Sequence, residues 1–423
     1  MISKFSSLFK RVLSSKDGRV LVSNFSYLML LKVAGYIFPL ITIPYLARTI
    51  GVEGFGKIAF AAAVILWFQT IADWGFNYTA TRDVAKNRED WEKVSIIFSN
   101  TLWARILLML VSFLILVGTI YLVPYFEEYR QVLLVTFLLI PGHILFPDWF
   151  FQAMERMKYI TIFNLISKAL LTTLVFIFIK EKSDYILQPL FISIGYLISG
   201  VCAMYIILFR WQVTLHRPHL RSILRAIIQS TDVFINNLLP NFYKSFSNIL
   251  LGIFSGNIAN GLLDAGNRFS EISQQFMVLI TRTFFPYLSR KSNNHDLYAR
   301  LNLSISIIFF LILFIGSPLI IKTFYTEEFY PAISILRILS VSVIFSSLTL
   351  VYGTNYMIIK GYEKALRNIT FVSSAIGFTM SFPLIYYYGA IGAALTITLS
   401  RAISGISIMR KAKQIQRSEV NCQ

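Results

Sequence analysis

Gly51-Val52-Glu53-Gly54-Phe55-Gly56 and Gly256-Asn257-Ile258-Ala259-Asn260-Gly261 decide how this chain is read. Each follows a long apolar run, and the outer glycines of the two hexapeptides stand 205 residues apart. At the same offset Ile198-Ser199-Gly200 with Met204 matches Ile403-Ser404-Gly405 with Met409. Glu155-Arg156 matches Glu363-Lys364 at an offset of 208, and Ile160-Thr161 matches Ile369-Thr370 at 209. Weak matches that agree in order and spacing indicate a duplicated chain. Neither hexapeptide ends in Gly-Lys-Ser/Thr, so neither is a phosphate-binding P-loop. Both read as tight turns between apolar segments.

Those segments fill most of the chain. Of its 423 residues 56% are hydrophobic and 14% charged, against about 25% charged in a soluble protein. A spanning helix needs about 20 mostly apolar residues. The apolar runs predict twelve: 21–47, 58–81, 95–122, 131–153, 159–179, 185–209, 227–254, 269–289, 301–325, 331–358, 368–388 and 390–409. The first run is too long for a cleaved signal segment. Six spans per repeat is even, so both halves enter the membrane from the same side. The expected fold is an all-α integral membrane protein with two six-helix lobes, related as parallel repeats around a central cavity. The lobes comprise residues 21–209 and 227–409. Residues 1–20 form a cytoplasmic amphipathic segment suited to an anionic leaflet, 210–226 a cytoplasmic linker and 410–423 a cytoplasmic tail.

Orientation follows from charge. With the N-terminus inside, the cytoplasmic segments hold 25 Lys and Arg and the opposite loops 7. The positive-inside rule then puts both termini in the cytoplasm. This dispersal also accounts for the net charge of +18, and no basic, aromatic-interleaved stripe points to nucleic acid. The two cysteines supply no disulfide framework, and the four histidines lack metal-ligand spacing. No cofactor is implied, and no nucleophile or paired-carboxylate arrangement indicates catalysis.

Seven cations remain inside the spans: Lys32, Arg105, Lys168, Lys244, Arg282, Arg337 and Arg401. Each costs at least about 2.5–3.5 kcal/mol to insert. Lys32, Lys168 and Lys244 lie near mid-span, about 15 Å from either face, too deep for easy snorkelling. Arg401 lies nearer the cytoplasmic end. Arg105, Arg282 and Arg337 are shallower, where snorkelling or an interhelical ion pair competes with ligand contact. Lining a cavity, such residues suit an anionic passenger. Asn237, Asn241, Tyr243 and Asn248 in the seventh span, with Gln275 in the eighth, offer hydrogen bonds to sugar hydroxyls. The acids within spans are Asp73, Asp148, Asp232 and Glu271. Asp73 is either an ion-coupling group or half of an ion pair, with Arg82 or Lys86 as partners within reach. Pro39 and Pro44 interrupt the first span and are candidate hinges.

Arg48-Thr-Ile-Gly51-Val-Glu-Gly54-Phe55-Gly56-Lys-Ile-Ala-Phe, then Asp73-Trp-Gly75-Phe76-Asn77-Tyr-Thr-Ala80-Thr81-Arg82, Asp83-Val-Ala-Lys-Asn87-Arg88 and Ala104-Arg105-Ile106, resemble the polysaccharide biosynthesis exporters. More narrowly the block is similar to the Wzx-type O-antigen flippases. It covers the first quarter of the chain. The resemblance implies a superfamily that includes lipid II flippases and multidrug extruders, built as two bundles around a central cavity. It implies a substrate: an undecaprenyl-pyrophosphate-linked oligosaccharide repeat unit, turned from the cytoplasmic to the periplasmic leaflet of the bacterial inner membrane. It also implies partners: the lipid-linked oligosaccharide, membrane lipids, and the polymerase and chain-length regulator of the same pathway. Another lipid-linked glycan, such as enterobacterial common antigen, capsule or exopolysaccharide units, is the alternative cargo. A multidrug cation antiporter would want an acidic interior, and a polymerase a larger external loop.

The charge asymmetry predicts cytoplasmic loops around Asn87 and His219 and periplasmic loops around Glu127 and Glu327. In a background lacking Cys202 and Cys422, a single cysteine at 127 should react with a membrane-impermeant maleimide on intact spheroplasts. Reaction only after the inner membrane is breached would reverse the topology.

Overall fold

The computed structural model describes residues 16–238, 241–290 and 295–421. Most of the amphipathic N-terminal segment, and the side chains of Asp232, Asn237, Asn241, Tyr243 and Lys244, lie outside the described residues.

The chain is helical, as the apolar periodicity requires: in lipid, the backbone bonds itself within each helix. α1 (Lys16–Asp73), α2 (Phe76–Lys86) and α3 (Trp91–Leu122) lead into a broken segment, α4 (Arg130–Phe137), α5 (Leu139–Leu145) and α6 (Asp148–Ala153). α7 (Met157–Phe178), α8 (Leu187–Tyr205) and α9 (Leu220–Leu238) follow. Then come α10 (Asn241–Arg290), α11 (His295–Phe324), α12 (Ala332–Leu348) and α13 (Glu363–Asn421). A ten-residue π-helix, Thr349–Ile358, extends α12. Asp90 caps α3, its carboxylate accepting the Lys93 N–H at 3.1 Å. Among the described residues, nine helices are long and apolar enough to cross a membrane.

Three of the nine are too long for one crossing. α1 has 58 residues, about 87 Å if straight against a hydrocarbon core of about 30 Å. It turns at Gly51, whose φ of 64° and ψ of −177° no L-residue adopts without strain. α10 turns at Gly256 (φ 77°, ψ −174°) and α13 at Gly389 (φ 52°, ψ −127°). The dihedrals of Gly51 and Gly256 nearly coincide, so the sequence repeat has a conformational counterpart. By contrast, helical dihedrals run through Pro39 and Pro44; Gly51 is the non-helical residue of α1.

The chain divides into two compact units. One comprises the chain up to Tyr45 with Phe68–Lys180 and Ile186–Ile235; the other comprises Leu46–Trp67, Glu181–Tyr185 and the chain from Asn236. In the second, the two hexapeptides meet. A Cβ on Gly56 would lie 1.7 Å from the Asn257 carbonyl oxygen, and one on Gly261 would lie 2.1 Å from the Val52 carbonyl oxygen. Adding 205 to 56 and to 52 gives 261 and 257, so these are the same contact made twice, with the halves exchanged. Small residues let helix backbones approach this closely. Phe60 fills the space against Gly252, and Ser245 Oγ donates to the Ala63 carbonyl at 2.6 Å.

In the first unit, α9 lies against the break between α1 and α2. Trp74 and Gly75 both have positive φ, 40° and 79°. The Trp74 ring stacks on Phe234 with centroids 3.9 Å apart, and its Nε1–H donates to the Ile227 carbonyl at 3.1 Å. Thr79 and Ser230 hydroxyls bond at 2.7 Å. These contacts hold a non-glycine residue in a conformation that costs about 1–3 kcal/mol.

Gly56→Ala or Gly261→Ala should therefore destabilise the purified protein by about 1–3 kcal/mol through overpacking. Gly118, with nothing within 4 Å of a built Cβ, is the control: Gly118→Ala should be neutral or stabilising by up to about 1 kcal/mol. Thermal unfolding in one detergent compares the three.

Candidate functional site

Lys168, half-buried on α7, is the deep cation whose surroundings are clearest. Its Nζ stands 4.0 Å from where a Cβ would sit on Gly35 of α1. Lys32 is three residues earlier on that helix, hence nearly one turn away, and is exposed. Among the described residues Lys168 has no ion-pair or hydrogen-bond partner. Two basic groups from different helices thus share one level of the first unit.

The other cations are placed differently. Arg105 is 3% exposed and pairs with Asp73, the last residue of α1. A carboxylate there faces the negative end of a helix dipole, and the buried guanidinium compensates it. The partner of Asp73 is thus Arg105, a helix away, while Arg82 pairs with its neighbour Asp83 at 2.8 Å. Arg401, 5% exposed, donates from Nη1 to Ser342 Oγ at 2.8 Å. Arg337 donates from Nε to Ser317 Oγ at 3.1 Å and lies over the Phe314 ring. Arg282 and Gln275 are exposed and Asn248 half-buried.

Three groupings were not legible in the sequence. In the first unit, His143 on α5 stacks on Tyr196 of α8 at 4.2 Å, and both His143 and Asp148 lie within the field of the Asp73–Arg105 pair. In the second, Tyr298 donates to Thr281 Oγ1 at 3.0 Å, Asn302 to Tyr298 at 3.2 Å, Ser347 to Asn302, and Asn355 to the Thr281 carbonyl at 3.1 Å. Asn355 lies in the π-helix, a form that recurs at functional sites. A cavity of about 600 Å³ beside Gly51 is lined by Glu53, Lys57, Lys182, Tyr185 and Glu328 among others. There the Val52 N–H, freed by the turn, donates to Glu328 Oε2 at 3.3 Å. Outside the spans, Arg88 meets Glu155 at 3.0 Å and holds its carboxyl below the usual range. A strained φ of 55° at Glu155 accompanies that contact.

The fold, with its kinked membrane helices, is shared with transporters. The lipid II flippase MurJ in an inward closed conformation superposes with a TM-score of 0.71 over 91% of this chain and 87% of that one, at 14% identity. An inward-facing multidrug resistance transporter of the MATE family, MOP superfamily, gives 0.63 over 89% and 94%, also at 14% identity. The fold class is therefore that of multi-pass helical membrane proteins. Residues 21–292 match the family described as polysaccharide biosynthesis protein, and the chain belongs to that family. Two relatives are named as O-antigen transporters. One, from Escherichia coli, is 28% identical over 388 residues, covering 90% of this chain and 94% of the relative. The other, from Shigella dysenteriae, is 25% identical over 399 residues, covering 92% and 99%.

Breaking a buried ion pair strands its partner, at a cost of about 3–5 kcal/mol. Asp73→Asn should lower thermal stability by that order, and Asp73→Asn/Arg105→Met should recover most of it. A single variant as stable as the parent would mean that the pair carries little of the fold.

Proposed function

We propose that the chain is a flippase for lipid-linked glycans, and that its cargo is an undecaprenyl-pyrophosphate-linked O-antigen repeat unit. It moves this unit from the cytoplasmic to the periplasmic leaflet of the bacterial inner membrane by alternating access. The observation that carries the cargo chemistry is Lys168 beside Gly35, one turn from Lys32, in a chain of the polysaccharide biosynthesis family. A pyrophosphate crossing a low-dielectric slab needs compensating charge along its route. Ammonium groups in a hydrated interior supply it by charge-assisted hydrogen bonds.

Counting each glycine turn as the boundary of two crossings brings the nine long helices to twelve. This supports two six-span lobes with both termini cytoplasmic. Lys32, Lys168 and Arg282 meet the headgroup. Arg105, Arg337 and Arg401 shape the lobes and add to the field. Lys244, Asn237, Asn241 and Tyr243 join the route as proposed from sequence, with Asn248 and Gln275 meeting sugar hydroxyls. Pro39 and Pro44 soften α1 beside Gly35. A polymerase and chain-length regulator receive the unit on the far side.

A charge-assisted contact contributes about 1.5–3 kcal/mol, so removing one should slow transport at least about tenfold. In a strain lacking its own flippase, Lys168→Ala should cut surface polysaccharide by that order at unchanged membrane level. Lys168→Arg should be milder. Parental polysaccharide from Lys32→Ala/Lys168→Ala would remove these lysines from the mechanism.

A further inference from the structure

Asp148 opens α6 just after a break in a membrane-spanning segment. Pro147 has no N–H to return to the His143 carbonyl. The Asp148 N–H turns instead to the Phe146 carbonyl at 2.9 Å, and the Trp149 N–H to Asp148 Oδ1 at 2.7 Å. The helix therefore parts at Phe146–Pro147 and resumes with the acid. Discontinuous membrane helices are where transporters hold coupling ions.

Charge bookkeeping singles out this carboxylate. Arg105 is the cation whose field acts on Asp148, and Asp73 already occupies its Nη2. Among the described residues, the remaining nitrogens of that 97%-buried guanidinium, Nε and Nη1, have no hydrogen-bond partner. On α2 and α6, Asn77 Oδ1 and Trp149 Nε1 are also without partners among the described residues, and Thr81 ties the two helices through the Asn77 and Trp149 carbonyls. Buried donors and acceptors left open in this way call for water. The charged or titratable groups acting on Asp148 are Arg105, Asp73 and Tyr196, and those acting on His143 are Asp73 and Arg105. Gly142, whose Cβ would strike Tyr196 at 2.8 Å, lets α8 press Tyr196 onto His143.

We infer that Asp148, next to the fixed Asp73–Arg105 pair, is a proton-binding site of the transport cycle. One guanidinium balances one carboxylate; the second is neutralised by a proton. Hydronium from one aqueous face gives up its proton and leaves as water. The proton bonds to Asp148 Oδ2, the oxygen not engaged by Trp149. It departs to water at the other face when the cluster rearranges. Asp73, held by Arg105, orients the field and does not carry the proton. The inference rests on the transporter reading but not on the identity of the cargo.

Infrared difference spectroscopy of the full-length protein in lipid nanodiscs, titrated between about pH 5 and pH 8, reads the site directly. The parent should show a deuterium-sensitive carboxylic-acid band that titrates. Asp148→Asn should lose it; Asp148→Glu and the exposed control Glu127→Gln should keep it. A band retained in a folded Asp148→Asn, or no titrating band in the parent, overturns the assignment. A band bleached by sodium at fixed pH would assign the charge to sodium and overturn the proton. In cells, polysaccharide export should fall at least tenfold in Asp148→Asn and recover in Asp148→Glu. Full export by Asp148→Asn also overturns it. If the parent exports no glycan but the band titrates as stated, the cargo reading fails and the proton site stands.

Discussion

A backbone in lipid finds no water to bond, so every reversal must leave as few amide groups open as it can. This chain reverses at single glycines. Gly51 and Gly256 each turn the chain with one left-handed residue and let helix resume on both sides. The amide freed at Val52 is met by Glu328. The two turns then serve each other: Gly56 and Gly261 admit the carbonyls of Asn257 and Val52 where any side chain would block them. A duplicated hexapeptide thus becomes a reciprocal contact, around which Phe60, Gly252 and Ser245 pack.

The same scarcity of water governs charge. Arg105 and Asp73 are buried together because either alone would be far more expensive. Their partnership leaves Asp148 as the odd carboxylate, at a break that proline makes in an otherwise apolar segment. Arg401 is absorbed into its own lobe by Ser342. Lys168, beside Gly35, has no ion-pair partner among the described residues. Among the described residues, basic residues that look equivalent in a span are therefore placed differently by the packing around them.

The membrane class, the helical fold and the turn at Gly51 with its echo at Gly256 were legible in the chain. Hydropathy is a local sum, and a left-handed turn needs a residue without a Cβ. The motif around Asp73-Trp74-Gly75 marked a special place, but not its reason: a strained tryptophan seated on Phe234, far along the sequence. The fourth segment read as one span, although it forms three helical pieces, parting at Leu138 and again at Phe146–Pro147. An acid directly after a proline in an apolar run was the available sign.

What the sequence by itself determined is how many apolar stretches the chain has, where they reverse, and that charges lie within them. Those are properties of neighbours along the chain. Tertiary structure alone decided that Asp73 pairs with Arg105 rather than with Arg82 or Lys86, that residues 46–67 group with the chain from Asn236 on, and that His143 lies against Tyr196. In a membrane every helix face is apolar enough to adjoin any other. The selection is made by glycines that permit close approach and by buried charges that demand a partner, and both act between helices that the sequence keeps far apart.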